Sequence, residues 1–162
     1  MRPARLTLTI AIAAALGMAG ANPAASESSA RPAREAAAHT ARVVSVRDEG
    51  HLRFVDANAT VIVDEGSVSG TLPGRARVNF TYNGSPTVTA RFAIRTSGGT
   101  LYGRASCRLH NPTSPVPSFR GALQITGGSG RYGHARGSGE LFGVFHRRGY
   151  ALVVQAIGRL RY

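Results

Sequence analysis

Large apolar and polar residues alternate through most of the chain from residue 42 onward, the period-2 pattern of strands with one covered face. In Phe119 to Thr126, Phe119, Leu123 and Ile125 hold one phase while Arg120, Gln124 and Thr126 hold the other. The glycine-rich Gly127, Gly128, Ser129 and Gly130 then predict a close corner against another strand, since glycine tolerates conformations that a side chain penalises. Alternation resumes at Gly139, with Leu141 and Phe145 facing one way and Phe142 and Val144 the other. A strand, a tight corner and a second strand form the hub of the predicted fold.

Three strands precede the hub. In Gly74 to Tyr82 the residues Ala76, Val78, Phe80 and Tyr82 share a face, opposed to Arg75 and Arg77. Asn83-Gly84-Ser85-Pro86 is a strong hairpin signal. Thr87 to Arg95 returns with Val88, Ala90, Phe92 and Ile94 on its apolar face, and Ser97-Gly98-Gly99 turns into Leu101 to Leu109. The prolines of Asn111 to Ser118 remove backbone donors, so this stretch reads as an irregular connection. After the hub, Arg147-Arg148-Gly149 leads into a last strand, Tyr150 to Tyr162, whose Val153 and Ile157 leave apolar residues on both faces and suggest a subunit contact.

The beginning of the sheet reads as short runs: Val43 to Val46, Leu52 to Val55 and Thr60 to Val63. Three acidic clusters, Asp48-Glu49-Gly50, Asp56-Ala57-Asn58 and Asp64-Glu65-Gly66, are expected to turn the chain between and after them. None has the spacing of a calcium loop.

About eight strands, many glycines and no long helix predict an all-β fold, an eight-stranded antiparallel barrel whose closure removes exposed edges, with a β-sandwich as the alternative. Residues 1–21 have the basic start, apolar run and small-residue end of a signal peptide, which implies a secreted or periplasmic protein with no membrane span once it is removed. Residues 22–40 read as a flexible tail, and residues 41–162 as the barrel domain. Cys107 is the single cysteine and lies in phase with Leu101, Ala105 and Leu109, so it is expected to be a buried filler.

Charge adds a second theme. There is no lysine, and beyond residue 21 the chain carries 18 arginines against 8 acids, a balance of +10 that favours anionic neighbours. Arg75, Arg77, Arg91, Arg95, Arg104, Arg108 and Arg120 recur on the polar phase of successive strands and form a positive belt if those strands are neighbours. Only Tyr102 interrupts them as an aromatic, so specific nucleic-acid binding is not expected, and adhesion to an anionic cell envelope is the alternative use of the belt, beside arginine as a general surface residue. The histidines lack metal-ligand spacing, the corner lacks the sequence of a phosphate loop, and neither a metal nor a cofactor is expected.

The segment Ile125 to Gly137, I-T-G-G-S-G-R-Y-G-H-A-R-G, resembles the allene oxide cyclase and dirigent superfamily. Gly127, Gly128, Ser129 and Gly130 match its corner, Tyr132 its aromatic position, and Ala135 and Gly137 its re-entry. Gly127, Gly128, Gly130 and Gly137 are thus structural turn residues in this reading. The resemblance implies an eight-stranded barrel around an apolar cavity, assembled as a homotrimer, that binds a small hydrophobic ligand or acts as a cyclase or isomerase on a reactive lipid or phenolic intermediate. From the residues themselves, Glu140 is the candidate general acid if its face lines the cavity. Tyr82, Phe142 and Tyr150 are the candidate ligand contacts. A basic structural or adhesive envelope protein is the remaining alternative.

Overall fold

A computed structural model describes residues 41–81 and 84–162. The leader and tail read from residues 1–21 and 22–40, and the ligand contact assigned to Tyr82, lie outside the described residues.

Alternation becomes strand along the whole described chain. The strands are β1 (Val43–Ala57), β2 (Val61–Gly70), β3 (Gly74–Thr81), β4 (Thr87–Thr96), β5 (Gly99–His110), β6 (Ser118–Gly128), β7 (Arg136–His146) and β8 (Ala151–Arg161). Each pairs antiparallel with the next, and β8 returns to β1, so the sheet closes into an eight-stranded antiparallel barrel. The sandwich alternative is thereby set aside.

Two of the three expected acidic turns are not turns. Asp48, Glu49 and Gly50 lie in the middle of β1, and Asp64, Glu65 and Gly66 in the middle of β2. Pairing on both sides overrides the local preference of these residues: Gly50 faces Val68 and Val154, and Gly66 faces Leu52 and Ala76. The third cluster does begin a turn, because the Asn58 side chain accepts the backbone N–H groups of Thr60 and Val61 at 3.1 and 3.0 Å.

Closure and alternation place one residue in two inside. Leu52, Val68, Ala76, Val78, Ala90, Cys107, Phe119, Leu141 and Leu152 form one buried cluster through the middle of the barrel. The turns between β2 and β3, β4 and β5, and β6 and β7 share one end, which a second cluster fills with Leu72, Leu101, Ile125, Tyr132, Ala135 and Leu160. Tyr132 and Leu101 are fully buried there. The Tyr132 ring packs edge-on against Tyr162 at 4.9 Å, and its hydroxyl meets Arg131 Nη2 at 2.6 Å.

The glycine corner makes this closed end. It is a single 3₁₀ turn, Gly130–Tyr132, laid directly on the β4–β5 turn, with the Ser129 N–H donating to Thr100 O at 2.8 Å and the Arg131 N–H to Gly98 O at 3.0 Å. Gly130 has φ +61°, and a Cβ on Gly128 would stand 2.5 Å from Thr100 O and 2.7 Å from Tyr132 O. Thr126 bulges out of the β5–β6 ladder just before the corner. Gly137 faces Leu160 as β7 begins, so its role is close strand contact rather than the turn itself.

The opposite end is more open. Phe54 and Ile62, on inward phases, and Val116 and Tyr150, in the flanking segments, all expose large apolar surface. The proline segment is held over this rim by backbone bonds from Phe145 N to Pro117 O and from Arg147 N to Pro115 O, at 3.0 and 3.1 Å. The Arg147 guanidinium also donates to the carbonyls of Ser114 and Pro112.

Because Tyr132 plugs the closed end, Tyr132→Ala is expected to cost about 3–5 kcal/mol, the usual range for truncating a large buried aromatic. Urea unfolding checks this, and a loss under about 1 kcal/mol would contradict the plug.

Candidate functional site

The barrel interior holds a partly open space of about 140 Å³ whose lining is almost wholly apolar. Leu52, Val78, Phe92, Leu123, Leu141 and Val154 contribute to it from six different strands. Alternation along each strand aims these residues inward, and cross-strand partners keep them level: Val78 faces Phe92, and Ala90 faces both Phe80 and Ala105. The small residues Ala76, Ala90 and Ala105 and the glycines opposite the bulky ones leave the volume unfilled.

Cys107 lines this space, as expected of a buried filler. Burial pushes its thiol up to about 11, so it stays protonated near neutrality and is no nucleophile.

Two carboxylates enter the interior, and neither was singled out as chemistry by the sequence reading. Asp48 lines the cavity toward the closed end and is almost completely buried. Its Oδ1 accepts the Leu72 N–H at 2.9 Å. Burial raises its pKa, opposed by the hydrogen bonds from the Leu72 and Thr71 backbones. Asp64 sits just inside the open rim, level with Phe54 on β1 and Val78 on β3. It is only 4% exposed, and among the described residues no hydrogen bond or ion pair reaches its carboxyl group. Burial alone pushes it up to about 6. One interior acid is therefore fastened to the backbone, and the other has no partner among the described residues.

A period-2 signal for both was present in the sequence. Val46, Asp48, Gly50, Leu52 and Phe54 share one phase, as do Ile62, Asp64, Gly66 and Val68. Reading each Asp together with a neighbouring Gly as a turn concealed it.

Glu140 is on the other side of the wall. It faces Ala122 and Ile157, and its Oε2 accepts Arg120 Nη2 at 2.7 Å in an exposed pair. Leu141 takes the inward position of β7, which turns both of its neighbours outward, so the acid proposed for the cavity instead balances the outer arginines. Phe142 is outward for the same reason and is 39% exposed. Tyr150 stands at the rim, in a left-handed conformation with φ 45°, its ring 5.8 Å from that of Phe54. Of the four residues proposed for catalysis or ligand contact, the structure brings only Tyr150 near the mouth, Tyr82 lying outside the described residues.

Among the described residues no three of His, Cys, Asp and Glu converge as a metal site. No described helix is long and apolar enough to cross a membrane. The fold and interior together define a closed antiparallel eight-stranded β-barrel with an apolar space and two inward carboxylates. Comparison with protein-family models, with curated proteins and with solved structures finds no match.

Asp64 makes stability depend on pH. Its folded pKa of about 6 lies above the ordinary 3.8, so the native state holds the proton more tightly than the unfolded chain. This contribution is complete below pH 3.8 and is lost as the pH rises through about 6. Asp64→Asn is therefore expected to gain on the order of 2–3 kcal/mol relative to wild type between pH 4 and pH 7.5. Denaturant unfolding at the two pH values checks it, and parallel stability profiles for the two proteins would contradict the unpartnered burial.

Proposed function

We propose that this barrel binds a small apolar molecule in its interior. The observation that carries the proposal is the apolar space of about 140 Å³ beneath an apolar rim. Apolar cavities near 150 Å³ stay dry and accept a benzene-sized guest. Drug-sized pockets are larger, from about 300 Å³ upward, so the fitting class is a monocyclic phenolic or a short terpenoid fragment rather than a whole long-chain lipid. Asp64 adds a place at the mouth for a hydroxyl or amine hydrogen to be received.

The resemblance at Ile125 to Gly137 supports the same reading, under which the chain is an allene oxide cyclase/dirigent-like barrel acting in a secreted or periplasmic setting, as the leader-like residues 1–21 suggest. A homotrimer belongs to that reading, and the outward apolar residues Phe142, Val144, Val153 and Ile157 on β7 and β8 offer a face for it.

Toluene or phenol is expected to raise the melting temperature of the protein in a saturable way, while oleate does not. Ala105→Phe, which fills the space, is expected to abolish the shift, and Val78→Ala, which enlarges it, to extend the shift to two-ring ligands such as naphthalene. No shift with any one-ring probe, in wild type or Val78→Ala, would overturn the proposal.

One observation favours a second reading, that of a cyclase or isomerase working by proton transfer. A carboxyl titrating near 6 at the mouth of an apolar space is placed and tuned to give and take a proton. In that reading the general acid moves from Glu140 to Asp64. Against a phenolic or epoxide substrate found by screening, Asp64→Asn is expected to lower kcat at least 100-fold, with Glu140→Gln within twofold of wild type. The reverse pattern would restore Glu140.

A further inference from the structure

The outer wall of β3, β4, β5 and β6 carries seven arginines, at positions 75, 77, 91, 95, 104, 108 and 120, and these four strands contain no aspartate or glutamate. The register stacks most of these arginines against one another. Arg75 stands opposite Arg95, Arg91 opposite Arg104 and Arg108 opposite Arg120. Directly opposed side chains have Cβ atoms about 5 Å apart, and like charges in that position are destabilising. Three such rungs oppose folding unless something outside the barrel neutralises them.

The chain itself supplies little. Glu65 on β2 pairs with Arg77, and Glu140 on β7 with Arg120, so among the described residues the carboxylates that reach the wall come from its two borders. Among the described residues no carboxylate lies within ion-pair distance of Arg75, Arg91, Arg95, Arg104 or Arg108. Arg104 is held in place by a fork of two hydrogen bonds to Gln124 Oε1, at 2.9 and 2.6 Å, which orients the guanidinium without neutralising it.

The wall is also shaped. A groove of about 740 Å³ runs over it, where Arg91, Arg104, Asn79, Thr89, Ser106 and Gln124 stand beside apolar surface from Val61, Leu123 and three alanines. A pair of guanidinium groups thus lies among hydroxyl and amide groups that can meet the hydroxyls of a sugar. The next rungs lie four residues along, with Arg91 followed by Arg95 on β4 and Arg104 by Arg108 on β5, which repeats positive charge at about 13 Å.

We propose that this groove is a binding site for an acidic polysaccharide, a chain in which carboxylate or sulfate groups recur among sugar hydroxyls. Nucleic acid fits the wall less well, because stacking platforms are missing: Tyr102 is the single aromatic directed outward on the four strands. A lipid surface also fits less well, since the groove is recessed and its apolar lining, Val61 and Leu123 with three alanines, carries no aromatic side chain for insertion. The site uses the outside of the barrel and stands independently of the apolar ligand proposed for the inside.

Binding of the full chain to immobilised polygalacturonate, dextran sulfate, neutral dextran, phosphatidylglycerol vesicles and single-stranded poly(dT), at 0.15 M and 0.5 M salt, tests it. The expected result is binding to the two acidic polysaccharides and not to dextran, weakened at the higher salt. The double variant Arg91→Gln/Arg104→Gln is expected to lose at least tenfold in affinity. Arg136→Gln/Arg161→Gln, which removes the opposed arginines of β7 and β8 and changes net charge equally, is expected to stay within twofold. Relieving a repulsive rung should not lower the melting temperature, so loss of binding in a folded variant is readable. Equal loss in the two double variants, tighter binding to vesicles or DNA than to either polysaccharide, or no binding to the polysaccharides at 0.15 M salt would each overturn the proposal.

Discussion

Pairing of the first strand with the last sets everything else in this molecule. From Val43 opposite Arg161 to Arg53 opposite Ala151, β1 and β8 are in continuous antiparallel register, and the sheet is left without an edge. Once the sheet is closed, each side chain is assigned by parity to a narrow interior or to the outer surface, with no third choice. Bulky inward residues then need small ones opposite them. Gly103 shows how tight this is: a Cβ there would stand 2.3 Å from the Phe92 ring. Gly143 stands in the same relation to Phe119.

The same parity separates two chemistries across a wall one strand thick. Inside, the hydrophobic effect gathers aliphatic and aromatic groups and admits two carboxyls, of which only Asp48 has a hydrogen-bond partner among the described residues. Outside, arginines stand beside arginines. Neither Asp64, whose charged form is penalised by burial at the rim, nor the opposed guanidinium rungs help the chain to fold, since desolvating a carboxylate and setting like charges side by side both cost stability. These two features, which oppose folding, are the ones on which the proposed guest within and the proposed polyanion without rest.

Much of the fold was legible in the alternation. The strands from Gly74 to Leu109, the corner at Gly127 to Gly130, and the opposition of Leu141 and Phe145 to Phe142 and Val144 were all readable, because period and turn chemistry are local properties. The first two strands were broken up because Asp and Gly together usually signal a turn. The period-2 phase through Gly66 was there to read, but the partners that make it a strand residue, Leu52 on one side and Ala76 on the other, lie distant in sequence or across a turn. The candidate site was less legible for a related reason. Glu140 attracted attention by sharing a phase with Phe142 and Val144, but which face of a strand turns inward is decided by the whole sheet. On β7 the inward face belongs to Leu141 and Phe145. Asp64 needed the opposite inference, that a charged residue inside an apolar phase is a buried acid and not a break in the strand.

The unfilled apolar space within the closed barrel is tested most directly by a crystal structure of the protein under xenon pressure. Xenon density between Val78, Phe92, Leu123 and Leu141, with the surrounding side chains unmoved, is expected. A barrel whose interior is filled by its own side chains, with xenon absent or found only on the outer surface, would contradict it.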